Sequence, residues 1–276
     1  MNKLLLLLKN YGKIYLGALA RKSNKKETLS GGALILIISL VFVVLFTSMS
    51  ITTIEQFIQM DPPEPELALY VLTATGIIFM LLIVVIKGTN FKKSMDHDLL
   101  LSLPISKTTI VLSKILKDYL FDLISLLLIM MPGYVAYYFM VNEASFLVII
   151  NGLFVVILLT FLSNSIAILM NFIIAKFTRN FKKREIIQTL ISVLITIIFL
   201  VFYFSFNISL NNSPDFVEVF MNFYPIKLVV DILANNNLLS FIILFAVCII
   251  PFSLAVMLEV FDFNHQNNFV NSDKKA

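Results

Sequence analysis

Long apolar blocks alternate with short polar and charged segments along most of the chain. A helix needs about 20 apolar residues to cross roughly 30 Å of hydrocarbon, because unpaired backbone groups are not tolerated there. Six blocks reach this length, so the pattern predicts six transmembrane helices. The predicted spans are residues 33–54, 67–86, 120–141, 146–175, 186–206 and 238–260.

The composition excludes an ordinary soluble protein. Of the 276 residues, 59% are apolar and 14% are charged, whereas soluble domains average about 25% charged residues. The spans leave no room for a separate soluble domain, so residues 1–276 are expected to form one all-α polytopic membrane domain. Cys248 is the lone cysteine, which excludes an internal disulfide framework and a thiolate metal cluster.

Basic residues indicate the orientation of the chain. Eighteen of the 21 Lys and Arg residues lie before span one, between spans two and three, or between spans four and five. Such residues are retained on the cytoplasmic side, so both termini, including the tail 261–276, are expected to be cytoplasmic. We expect a bacterial cell membrane as the location. Topology explains the net charge of +4, and no nucleic acid partner is expected.

Residues 1–30 form an amino-terminal segment of a different kind. Within residues 2–22, Leu4, Leu8 and Tyr11 share one helical arc, and Lys9 and Lys13 lie on the other. This pattern predicts an amphipathic helix in the cytoplasmic membrane interface. A cleavable signal peptide is the alternative.

Residues for catalysis are sparse. The two histidines, His97 and His265, belong to no HExxH pattern, and no phosphate-binding G-x-x-x-x-G-K-[ST] loop is present. Ser163 and Ser165, which flank Asn164, have no activating base nearby in sequence and are interpreted as helix–helix hydrogen-bonding groups. The sequence therefore predicts no catalytic residue, no metal site and no enzymatic activity on this chain.

Acidic residues are expected to avoid the centres of the spans. Asp118, Asp122 and Glu259 are placed near inner helix ends, where they reach water or pair with Lys114 or Lys117. Ion-coupled transporters usually keep an ionisable group inside the membrane. This placement favours a driving force that comes from outside the bilayer.

The cytoplasmic segment 88–118 is unusually apolar for a loop. Its Leu-Leu-Leu-Ser-Leu-Pro-Ile run would expose apolar side chains that a partner is expected to cover. Pro104 should end a short helix before it. Ser106 is then placed to cap the helix that leads into span three.

At Asp98–Ser106 and Ile110–Leu116 the sequence resembles the permease subunits of ABC exporters of the ABC-2 type. The resemblance implies that a coupling helix before Pro104 docks on a cytosolic ATPase subunit, which binds ATP and Mg. It also implies a second six-span permease, identical or different. The start of the chain also resembles the amino-terminal half of longer permeases with two six-helix halves, which leaves the stoichiometry open. The residues expected to contact the ATPase are Met95, Asp96, His97, Asp98, Leu99, Leu100, Ser102, Leu103 and Pro104.

The expected function is therefore export of a hydrophobic or amphipathic cargo, such as a peptide, lipid or drug, driven by the partner's ATP hydrolysis. Candidate pathway residues are Thr47, Thr75, Asn164 and Thr196. The alternatives are an ATP-independent carrier or channel and a non-transporting membrane assembly or immunity protein. The external segment 207–237 is either a re-entrant or interfacial helical pair that forms an outer gate, or an amphipathic helix on the outer leaflet.

Overall fold

The computed structural model describes residues 28–60, 63–88, 106–142, 144–178 and 223–273, together with six positions between 190 and 201. All regular structure in these ranges is helical. The elements are α1 (Thr28–Ile58), α2 (Pro65–Gly88), α3 (Lys107–Met140), α4 (Leu147–Thr178), α5 (Tyr224–Asn235) and α6 (Leu238–Asp273).

Five of these helices, α1, α2, α3, α4 and α6, are long and apolar enough to cross a membrane. They coincide with predicted spans one to four and six, which confirms an all-α membrane protein. Most of the predicted fifth span lies outside the described residues. Its six described positions, from Leu190 to Val201, are helical and more than half exposed, and the sixfold span count stays a prediction.

Helix α3 begins well before the predicted start of its span at Leu120. Ser106 adopts an extended backbone and its Oγ accepts a hydrogen bond from the Thr109 N–H, which confirms the predicted N-cap. The cap lets the helix start directly after the apolar loop. With 34 residues, α3 is about 51 Å long at roughly 1.5 Å per residue.

Helix α4 lies at the centre of the bundle and packs against α2, α3, α5 and α6. Helix α1 packs on α2 and α3 at one side, and α6 packs on α3, α4 and α5 at the other. The outward faces of α1 and α6 carry exposed apolar side chains such as Leu45 and Phe245. In water this exposure would be costly, but it suits helices that face lipid.

Most of the described basic side chains lie at one end of the bundle. We call the end at which α3 begins and α4 ends the basic end, and the opposite end the far end. The basic end carries Lys114, Lys117 and Lys176, and Lys117 Nζ lies 3.7 Å from Asp118 Oδ1, as expected for a pair there. The described charged residues of the far end are Glu55, Glu64, Glu66, Asp231 and Lys227.

Helix α5 belongs to segment 207–237, which was predicted to be external, and residues 207–222 of that segment lie outside the described residues. Its apolar residues are buried against α2, α4 and α6. They cover more than half of its circumference, since Leu228 and Ile232 are buried as well as Ile226, Val229 and Leu233. The apolar face of α5 is thus covered by protein, which does not fit a helix resting on the outer leaflet.

Glycines let α3 approach its neighbours closely. A Cβ at Gly152 of α4 would lie 2.6 Å from Tyr134 Cδ2, and one at Gly76 of α2 would lie 2.6 Å from Met130 Cε. Both distances are too short for real atoms, so each α3 side chain occupies the space above a glycine. Small residues serve this role between membrane helices, where packing drives association.

Candidate functional site

The described residues form a half-open groove of about 500 Å³ between α1 and α3. Three residues of α1, from Val43 to Ile51, and eight of α3, from Leu127 to Met140, line it. They recur at intervals of four, so they form one face of each helix. No lining residue is charged, and Thr47 is the one hydroxyl among them.

Thr47 adds little polarity to the groove. Its Oγ1 donates a 2.7 Å hydrogen bond to the Val43 carbonyl of its own helix. This arrangement satisfies the hydroxyl within the hydrocarbon region, as membrane helices require. The wall presented to a ligand is therefore almost purely aliphatic and aromatic.

Pro132 lies at mid-height of the α3 wall. Because proline has no N–H, it cannot donate to the Leu128 carbonyl one turn earlier. A helix is weakened at such a position and can bend there. The groove is therefore built at the point where α3 changes shape most easily.

A buried polar contact links α3 and α4 nearer the basic end. Asp122 is fully buried, and its Oδ2 accepts a 3.1 Å hydrogen bond from Asn164 Nδ2. Asp122 lies about 7–8 Å beyond Lys117 along the helix and about 27 Å before Met140. Of the two expectations for Asp122, access to water is wrong, because the side chain is fully buried and α4 contacts the carboxylate. Pairing with Lys114 or Lys117 stays a prediction.

Aromatic rings lie close in sequence to this polar contact. The Tyr119 ring centroid is 4.6 Å from that of Phe161, which in turn is 4.9 Å from Phe252. The three rings join α3, α4 and α6. Edge-on and tilted ring pairs of this kind add roughly 0.5–1.5 kcal/mol each beyond their buried area, so these contacts help to hold α3, α4 and α6 together.

At the far end, Asn151 of α4 holds the end of α5. Its Nδ2 donates to the Ile232 carbonyl at 3.0 Å and to Asn236 Oδ1 at 2.7 Å. Asn236 is left-handed, with φ 51°, and its N–H bonds to the Asp231 carbonyl. That wide turn leaves the Ile232 carbonyl to be satisfied from outside α5, and Asn151 supplies the donor.

The three described pathway residues lie on three different helices, α1, α2 and α4, and their role in a pathway stays a prediction. Thr47 lines the groove, Thr75 donates to the Leu72 carbonyl of its own helix, and Asn164 binds Asp122. Thr196 lies outside the described residues, and so do all the predicted coupling residues from 95 to 104. The predicted hydrogen bonding of Ser165 to another helix is wrong, since Ser165 bonds carbonyls of α4 itself.

Sequence reasoning missed three contributions to this region. The sequence shows Asp122 as an acidic residue within an apolar block, but whether it is buried depends on which face of α3 packs against α4. Asn151 and Gly152 sit within an apolar run and gave no signal of their own beyond being polar and small. Their roles depend on which helices meet α4.

Within the described residues, no group of three or more His, Cys, Asp or Glu side chains is placed to hold a metal ion. Comparison with protein-family models, with functionally characterised proteins and with solved structures finds no match to this chain.

Proposed function

We propose that this chain is the membrane-spanning permease subunit of an ABC exporter. A separate cytosolic ATPase subunit hydrolyses ATP, and a hydrophobic or amphipathic cargo passes along a pathway completed by a second permease. The basic end faces the cytoplasm, where the segment before Pro104 binds the ATPase. The observation that carries the proposal is the continuity of α3.

Helix α3 connects two regions that such an exporter has to couple. It starts one residue after Ser106, next to the segment that resembles a coupling helix, and runs without interruption to Met140 at the far end of the groove. A displacement at its start is therefore transmitted along about 51 Å of helix. Pro132 supplies a place where that displacement can change the groove.

The groove also suits the cargo class. Ligand sites of roughly 300–1,000 Å³ are usual for small molecules, and they are mostly apolar. The groove has about 500 Å³ and no charged wall. A charged or strongly polar cargo would lose hydration there without gaining partners.

The test is co-purification with a candidate ATPase and measurement of ATP turnover in liposomes. We expect Leu100→Asp and Leu103→Asp to abolish association and stimulated turnover, because a charge would be buried in the docking surface. Leu100→Ile is the matched control and should retain both. If the unaltered chain neither associates with the ATPase nor stimulates ATP turnover, the proposal is wrong.

An ion-coupled carrier is a second candidate, and the buried Asp122 is the observation that favours it. Ionisable groups inside membrane proteins commonly serve ion or proton relay. Asp122→Asn keeps an acceptor for Asn164 but removes the ionisable group. An ATP-driven exporter should keep its transport in this variant, whereas an ion-coupled carrier should lose coupling to the ion gradient.

A further inference from the structure

We infer that the groove between α1 and α3 is a binding site for the acyl chain of a membrane lipid. The inference names the cargo class of the proposed exporter and in that respect rests on the proposed function. The binding of the lipid itself can be measured on this chain alone.

The walls of the groove are too apolar to hold ordered water. A bound water needs two to four polar partners, and the single hydroxyl of the groove, at Thr47, already donates to the Val43 carbonyl. An empty groove would forfeit the dispersion contacts of both helices. The groove lies on the side of the bundle, between two helices that carry exposed apolar residues. Hydrocarbon is the medium that reaches it.

The dimensions fit one acyl chain. The lining residues extend over about 12 Å of α1, from Val43 to Ile51, and about 20 Å of α3, from Leu127 to Met140. Half the thickness of the hydrocarbon core is about 15 Å, which is the depth that one leaflet supplies. The groove lies in the half of the bundle towards the far end, and Phe139, which is 76% exposed, flanks its outer mouth.

A lipid chain fits these walls better than a peptide or a second protein helix. Peptide cargo would carry backbone groups into a wall that offers no hydrogen-bonding partners. Close association of membrane helices favours small residues at the contact, whereas leucine, methionine, valine and phenylalanine line most of this groove.

The absence of tryptophan from the chain permits a direct test. Leu128→Trp places a single fluorophore in the groove, and Phe245→Trp places one on the lipid-facing surface of α6 as the matched control. Phe139→Trp, an aromatic replacement at the mouth, serves if Leu128→Trp does not fold. Each purified variant is titrated in detergent with a phosphatidylcholine that is brominated on one acyl chain, since bromine quenches tryptophan on contact.

The expected result is saturable quenching of the groove tryptophan at equimolar lipid, while the Phe245→Trp signal changes only at high lipid excess. Parallel quenching of both variants would show annular lipid contact alone and overturn the inference. No quenching in the groove also overturns it. A groove tryptophan that is shielded in a dimer seen by light scattering would make a second copy the occupant, which again overturns it.

The two proposals fail separately. Loss of saturable quenching with intact ATPase stimulation removes the lipid site and leaves the exporter. Saturable quenching without any ATPase association keeps the lipid site and removes the exporter.

Discussion

Replacement of Gly152 by alanine measures how far the packing of α3 on α4 depends on the missing side chain. The new Cβ would lie 2.6 Å from Tyr134 Cδ2 and 3.3 Å from two further ring atoms. Tyr134 is fully buried, so its rigid ring cannot move aside without separating the two helices. Overpacking of this kind costs about 1–3 kcal/mol, partly offset by the better helix propensity of alanine, about 0.8–1.0 kcal/mol.

The two terms together lead us to expect that Gly152→Ala lowers the free energy of unfolding by about 0–2 kcal/mol. The measurement is unfolding by SDS in mixed micelles, followed by circular dichroism. Gly76→Ala is the matched control, because its Cβ would lie 2.6 Å from Cε and 2.7 Å from Cγ of Met130, whose side chain is flexible where the Tyr134 ring is rigid. A methionine adapts its shape readily, so the control should change the free energy of unfolding little.

A double-mutant cycle identifies the clash. Tyr134→Leu removes the ring atoms that a Cβ at Gly152 would meet, so Gly152→Ala should cost at least about 1 kcal/mol less in that background. The reasoning is refuted if Gly152→Ala and Gly76→Ala have equal effects. It is also refuted if the Gly152 and Tyr134 changes add without coupling.

Three further predictions concern polar groups between helices; the first two use the same unfolding assay, and the third uses hydrogen exchange. Asn164→Leu removes the donor to Asp122 and should lower the free energy of unfolding by about 1–3 kcal/mol; an unchanged value would contradict the observed bond. Tyr134→Phe should leave the free energy of unfolding unchanged or raise it by up to about 1 kcal/mol, because the buried Tyr134 hydroxyl faces Thr73 with no well-formed hydrogen bond among the described residues. A clear loss of stability would refute this. Asn151→Ala should speed hydrogen exchange in α5 and leave α3 unaffected, because both bonds of Asn151 Nδ2 go to Ile232 and Asn236. Equal exchange rates of α5 in Asn151→Ala and in the unaltered protein would count against the role of Asn151.

The sequence was sufficient to predict the described membrane helices, because the length of an apolar block and the residues that cap a helix are local properties. The apolar blocks placed the described spans to within a few residues at most ends, and Ser106 identified the start of α3. The predicted span began only at Leu120, because Lys107, Lys114 and Lys117 interrupt the apolar block, although they can still be helical.

Side-chain partners were harder to foresee, because they depend on which faces of two helices meet. Asp122 and Asn164 are 42 positions apart, and nothing in either block indicates that they face each other. Asn164 was expected in a cargo pathway, and its bond to Asp122 was not foreseen. The groove combines positions of α1 and α3 that no periodicity in either helix alone could assign to a shared surface.

Helix α3 unites these observations. Its first turn follows the segment that resembles a coupling helix, its Asp122 is tied to α4, its Tyr134 and Met130 occupy glycine spaces on α4 and α2, and its far half lines the groove. The contacts with α2 and α4 fix the middle of α3, whereas the contact with α1 is the one that contains the groove. A displacement of α3 should therefore change the groove more readily than the packing on α4, and Pro132, at mid-height of the groove, is where that change is least costly.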